Sequence, residues 1–151
     1  MTARHLLRRL VVWGPLAAYL ALIYFLSSRS STPWATPYPD KLLHALEYGV
    51  LAALTARALN GTVRRPIPAG RLVLAWSLVL AYAVTDEIHQ AFVPHRVSDW
   101  RDVVADAVGA ALALALLWLA GRLIFRPAAA GAGENARAPR PLNELARKEP
   151  T

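Results

Sequence analysis

Residues 86–106 read DEIHQAFVPHRVSDWRDVVAD. They bring Asp86, Glu87, Asp99, Asp102 and Asp106 together with His89, His95, Arg96 and Arg101 in a short length of chain. Apolar sequence rich in Ala, Leu and Val lies on both sides, and each flank is long enough to cross a bilayer. Ionisable side chains at the end of such segments are costly to keep there and are functional candidates by default. Two chemistries suit them. Paired carboxylates whose pKa values are pushed apart can serve as general acid and base. Carboxylates interleaved with imidazoles, here His44, Glu47, Asp86, Glu87 and His89, also offer oxygen and nitrogen ligands to a divalent metal. The spacings H-x-x-E and D-E-x-H arise often by chance, however. No P-loop, G-x-S-x-G or H-E-x-x-H is present, so no metal set is assigned and the cofactor stays open. The chain has no cysteine, which excludes disulfides, thiolate zinc sites and cysteine nucleophiles.

The elements that must position these residues follow from composition and punctuation. The chain has 151 residues, 56% hydrophobic and 18% charged, with a mean hydropathy of +0.31. That composition points to an all-α, polytopic membrane protein of at most one domain. Four transmembrane helices are predicted, over residues 10–26, 42–59, 72–91 and 99–125. The first has the basic start and apolar run of a signal peptide, but no small-x-small cleavage site follows, so a retained helix is expected. Pro33, Pro37 and Pro39 prevent a regular helix in the first loop, and Asp40 reads as an N-cap. Asn60-Gly61, Pro66, Pro68 and Gly70 mark the second loop, and Pro94 ends the third helix. Residues 1–126 form the membrane domain. Residues 127–151, rich in Ala, Pro, Gly and charge, read as a disordered tail.

Four spans put both termini on one side. Most of the seventeen basic residues fall at the amino end (Arg4, Arg8, Arg9), around the second loop (Arg57, Arg64, Arg65, Arg71) or at the carboxyl end from Arg122 onward. The positive-inside rule makes those ends cytoplasmic in a bacterial inner membrane. Trp13, Trp76 and Trp118 then read as an inner aromatic belt, with Trp34 and Trp100 as its outer counterpart. The net charge of +7 is explained by topology, and nucleic acid is not an expected partner. The acids distribute the other way. Asp40, Glu47, Asp86, Glu87, Asp99, Asp102 and Asp106 all fall at the outer ends of helices or in outer loops, which the charge rule does not require.

Periodicity groups them. His44, Glu47, Tyr48 and Leu51 share a face of the second helix, and Tyr82, Asp86, His89 and Gln90 a face of the third, with Glu87 beside it. Asp99, Asp102, Asp106, Gly109 and Ala113 form one stripe on the fourth, polar above and small below, a pattern that permits close helix approach. The three faces lie at similar depth, within about two turns of the surface at ~1.5 Å per residue. If they converge, they enclose an outward-facing polar pocket. Simpler readings compete. Asp99 also reads as an N-cap, Asp102 as an acid of the first turn, Lys41 and Arg101 as snorkelling cations, and His95 as a solvated turn residue. Caps do not explain Glu47, Asp86, Glu87 or Asp106, and Arg96 is their expected internal partner, so a purely structural ion-pair network stays open.

The motifs D40-K41-x-x-H44-x-x-x-Y48, D86-E87-x-x-Q90-x-F92-x-P94-x-R96 and D102-x-x-x-D106-x-x-G109, with Ser27-Ser28 after the first helix, resemble the VanZ-like family of small bacterial membrane proteins over residues 10–120. Asp106 stands where that family usually has Asn, and His95 where Gly is common. The resemblance implies a role in the cell envelope, linked by the family's name to teicoplanin-type glycopeptide resistance, without a defined activity. The expected ligand-binding residues are Lys41, His44, Glu47, Tyr48, Asp86, Glu87, Gln90, Arg96, Asp102 and Asp106. The expected partners are membrane lipids and a lipid-linked or cell-wall precursor. The first expected function is binding of such a molecule. The alternative is a membrane-embedded hydrolase or transferase, with Glu47, Asp86, Glu87 and Asp106 as catalytic candidates. A proton or ion pathway is weakest, because the lower halves of the helices are apolar.

Overall fold

The computed structural model describes residues 2–30, 40–62 and 65–125. The expected tail, Trp34, Arg64 and most of the first loop lie outside them. Among the described residues four helices make up the fold: α1 (Ala3–Ser27), α2 (Asp40–Asn60), α3 (Ala69–Gln90) and α4 (Trp100–Ile124). Each is long and apolar enough to span a membrane, so the chain is an all-α polytopic fold. Helix α1 begins seven residues before its predicted start. RHLLRRL is made of good helix formers, and the apolar run alone understates the helix. Asp40 is the first residue of α2 rather than the residue before it, a difference within the normal ambiguity of helix ends. Asp99 does cap α4, accepting from the backbone N–H of Arg101.

Successive helices alternate in direction. Ser27 at the end of α1 meets Asp86 near the end of α3, and His44 near the start of α2 meets Asp106 near the start of α4. All the acidic residues described therefore gather at one end of the bundle. Helix α2 is the most enclosed of the four, and its closest partner is α4. Lipid tails supply no hydrophobic drive between helices, so packing there depends on close backbone approach between small residues. Ala52, Ala56 and Ala110 are completely buried. Gly49 and Gly109 face one another across the seam, and a Cβ at Gly109 would overlap the Ala45 carbonyl. Leu74, Leu78, Leu112 and Leu116 point away from the bundle, as suits a surface solvated by acyl chains.

Pro15 lies inside α1 and cannot donate to the Val11 carbonyl four residues earlier. Arg57 of α2 supplies the missing donor, reaching the Val11 carbonyl at 3.0 Å and that of Val12 at 3.4 Å. Three further side-chain-to-backbone bonds tie the helices: Tyr19 donates to the Glu47 carbonyl at 3.2 Å, Tyr82 to the Leu20 carbonyl at 3.1 Å, and the Trp76 indole N–H to the Ala107 carbonyl at 3.0 Å. Trp76 was expected in an interfacial belt. Its indole N–H instead bonds α3 to α4.

Candidate functional site

The site is built where four helix ends meet. Asp86 sits at its centre, buried, one turn before the end of α3. One of its oxygens, Oδ2, accepts from Ser27 Oγ of α1 at 2.9 Å, Tyr48 OH of α2 at 3.2 Å and Gln90 Nε2 of α3 at 3.0 Å. Three protein donors thus replace water around a carboxylate that burial would otherwise penalise. Tyr48 is almost fully enclosed, which fixes its hydroxyl on Asp86.

A second cluster joins α2 to α4. The Lys41 ammonium pairs with Asp99 at 2.9 Å and with Asp102, which is buried. One turn deeper, His44 Nδ1 lies 3.1 Å from Asp106 Oδ1, and its Nε2 lies 4.0 Å from Asp102. The i, i+3 and i, i+4 spacings read from the sequence produce this register. Lys41 and His44 are a turn apart on α2 and face Asp102 and Asp106, a turn apart on α4. Asp99 holds its proton less tightly than an ordinary Asp, first because the Arg101 backbone N–H bonds its carboxylate and then because Lys41 sits beside it. Glu87, also buried, accepts from the Asp99 backbone N–H and so holds the start of α4 against the end of α3.

Arg96 makes no direct ion pair with the acids among the described residues, although its charge acts on Glu47 across the cavity they both line. Its guanidinium donates to the carbonyls of Leu26 and Arg29, both at 3.1 Å, and so closes the carboxyl end of α1. Lys41, which also read as a snorkelling side chain, makes the ion pairs instead. His95 is exposed and has φ +63°, the left-handed conformation that favours glycine, so this histidine holds a strained turn rather than a ligand. His89 stacks on Tyr24 with ring centroids 5.0 Å apart, and its Nε2 lies 3.0 Å from Ser28 Oγ.

A cavity of about 170 Å³ opens between these groups. Glu47, Asp86 and His44 line it with Ser27, Gln90 and Arg96. Arg29, Asp40, Leu26 and Leu43 complete its lining. The half-buried Glu47 carboxylate accepts no hydrogen bond or ion pair from the described residues, whereas the Asp86 carboxylate beside it is supplied with donors. Of the expected ligand-binding residues, the structure brings His44, Glu47, Asp86, Gln90 and Arg96 to the cavity. Tyr48 supports Asp86 from behind, and Lys41, Glu87, Asp102 and Asp106 form the surrounding network. Ser27, Arg29 and Asp40 were not expected as site residues. Ser27-Ser28 entered the sequence reading only as part of the family resemblance, and the tertiary fold supplies their partners Asp86 and His89.

The metal set considered from sequence does not converge, since Glu87 and His89 are engaged elsewhere. Asp40, His44 and Asp102 do offer ligand atoms within 4.8 Å of one another, with Asp106 behind His44 as a carboxylate–imidazole support. A cation there competes directly with the Lys41 ammonium for Asp102.

The sequence model of a protein family described as VanZ/LLP1 matches residues 9–124. No curated protein and no solved structure matches the chain.

Proposed function

The chain belongs to the VanZ/LLP1 family, and on that premise we propose that it binds the polar headgroup of a lipid-linked or cell-wall-related molecule at its acidic end. The observation that carries this reading is Glu47: a half-buried carboxylate, inside a membrane-spanning helix, lining a cavity and accepting no hydrogen bond from the described residues. A carboxylate in that position accepts from a ligand hydroxyl or ammonium. Arg29 and Arg96 line the same cavity and suit an acceptor on the same ligand. The volume favours a headgroup over a whole molecule, because sites that enclose drug-sized ligands hold roughly 300–1,000 Å³. The protein is a multi-pass inner-membrane protein of bacteria, with both termini cytoplasmic and the acidic end outside. Its role is in the envelope, and reduced susceptibility to teicoplanin-type glycopeptides is the phenotype to examine.

The test is a lipid and cell-wall-precursor profile of cells lacking the protein, complemented with wild type, Glu47→Gln or Asp86→Asn. The expected result is that Glu47→Gln reaches wild-type levels in the membrane yet leaves the profile of the deletion. A wild-type profile with Glu47→Gln would exclude the cavity as the site. Orientation is tested separately with a membrane-impermeant thiol reagent, expected to label His95→Cys and not Ala69→Cys in intact cells.

A second reading, a membrane-embedded hydrolase or transferase, has one observation in its favour: Glu47 and Asp86 line the same cavity and form a carboxylate pair suited to acid–base work. The nearby serine does not strengthen it. Ser28 Oγ donates its single proton to the Tyr24 carbonyl at 2.7 Å, so toward His89 it can only accept, the wrong polarity for an activated nucleophile. Turnover of a labelled precursor by purified protein, lost in both Glu47→Gln and Asp86→Asn, would favour the enzyme over the binding protein.

A further inference from the structure

The other end of the bundle holds two more cavities, about 290 and 510 Å³, on either side of Arg8 between the start of α1 and the end of α2. The larger has walls of two kinds. Arg4, Arg8 and Arg57 line its polar part, and Leu7 and Val11 continue it along the apolar length of α1. No carboxylate among the described residues lies at this end. Arg4 and Arg8 are spaced i, i+4 on one helix face, where like charges repel. Arg57 from α2 joins the same cavity, held there by the Val11 and Val12 carbonyls, with further N–H groups remaining. The positive-inside rule requires basic residues at this end but not their convergence on one groove. An anion placed among them turns the repulsion into a clamp.

We propose that this groove binds an anionic phospholipid, with the phosphate held by Arg4, Arg8 and Arg57 and an acyl chain lying along Leu7 and Val11. Leu7, Val11 and Val12 stand beside the arginines on a helix long and apolar enough to span a membrane, which selects a lipid over a free anion. Basic recesses between transmembrane helices recognise headgroups in this way. The site is separate from the acidic cavity, and its test does not depend on what that cavity binds.

The experiment is native mass spectrometry of the detergent-purified full chain titrated with phosphatidylglycerol or with phosphatidylcholine of the same acyl chains. Preferential retention of phosphatidylglycerol is expected. Arg8→Gln should weaken it about fivefold, and Arg4→Gln with Arg8→Gln about twenty-five-fold, the scale of one and two headgroup-level charges. Arg122→Gln removes one charge at the same end of α4, outside the groove, and should leave retention unchanged. Equal retention of the two lipids, an equal loss with Arg122→Gln, or displacement of the lipid by millimolar inorganic phosphate would each overturn the proposal. Arg4 and Arg8 are exposed, so their variants should keep the wild-type melting midpoint; if Arg8→Gln lowers it, Arg4→Gln alone carries the comparison.

Discussion

Arg57 of α2 donates to the carbonyl of Val11 on α1 at 3.0 Å, and Val11 is the residue whose helical donor Pro15 removes. A helix interrupted by proline in a membrane must find another donor for the freed carbonyl, because lipid offers none. The neighbouring helix provides it, and the same contact fixes α1 against α2. Arg57→Ala should therefore destabilise the bundle by about 1–2 kcal/mol, the range for an unsatisfied polar group and for interhelical bonds in membranes. Adding Pro15→Ala restores the donor within α1 and should recover part of the loss. A double-mutant cycle read by unfolding in mixed micelles checks this, and simple additivity would show that Arg57 acts elsewhere.

The α2–α4 seam makes a sharper demand. A Cβ at Gly109 would overlap the Ala45 backbone carbonyl, which cannot rotate away as a side chain would, while Gly14 and Gly70 have open space around them. Gly109→Ala should separate α2 from α4 at a cost of about 3 kcal/mol or more, at or above the upper end for overpacked cores. Gly14→Ala and Gly70→Ala should be tolerated. The fraction of monodisperse protein after extraction distinguishes them.

Lys41 joins Asp99 and Asp102 in one ion-pair cluster, so removing its charge leaves two carboxylates facing each other. Lys41→Met should lower the melting midpoint, but by less than breaking a fully buried pair would, because the Lys41 side chain is 43% exposed. Asp102→Asn in the Lys41→Met background should restore most of the loss. Thermal melts of the two variants test the pairing, and a double variant no better than Lys41→Met would refute it.

Asp99 connects the site to pH. Its folded pKa is lowered by the Arg101 backbone N–H and then by Lys41. A depressed carboxylate stabilises the fold fully above its unfolded pKa, and the contribution disappears as pH falls through the folded value. The stability difference between wild type and Asp99→Asn should be constant through neutral pH and shrink only below the ordinary Asp range. Melting midpoints across an acid series measure it; a difference that changes near neutrality would implicate another group.

The local reading of the sequence went far for the fold and part of the way for the site. Hydropathy and proline placement located four spans because both are properties of contiguous segments. Helical periodicity put His44 on one face of α2 and Asp102 and Asp106 on one stripe of α4; that the two meet, with Lys41 joining them, came from the fold. Periodicity also paired Asp86 with Gln90, one turn apart on a single helix. It did not reveal that Ser27 bonds Asp86, fifty-nine residues away, or that Arg57 serves a carbonyl on another helix. It sent Arg96 to the acids, when its donors close the end of α1.

The amino-acid sequence by itself determined that this chain is a four-span helical membrane protein with seven of its ten acids at or near one set of helix ends, because burial in lipid selects segments by composition alone. Only the tertiary structure decided which carboxylates lie against Lys41 and His44, which one is supplied with donors, Asp86, and which one lines the cavity without a hydrogen bond from the described residues, Glu47. That division depends on the rotation and depth at which helices distant in sequence pack. The rotation is set by small residues such as Gly109, whose role shows only when the opposing backbone is in place.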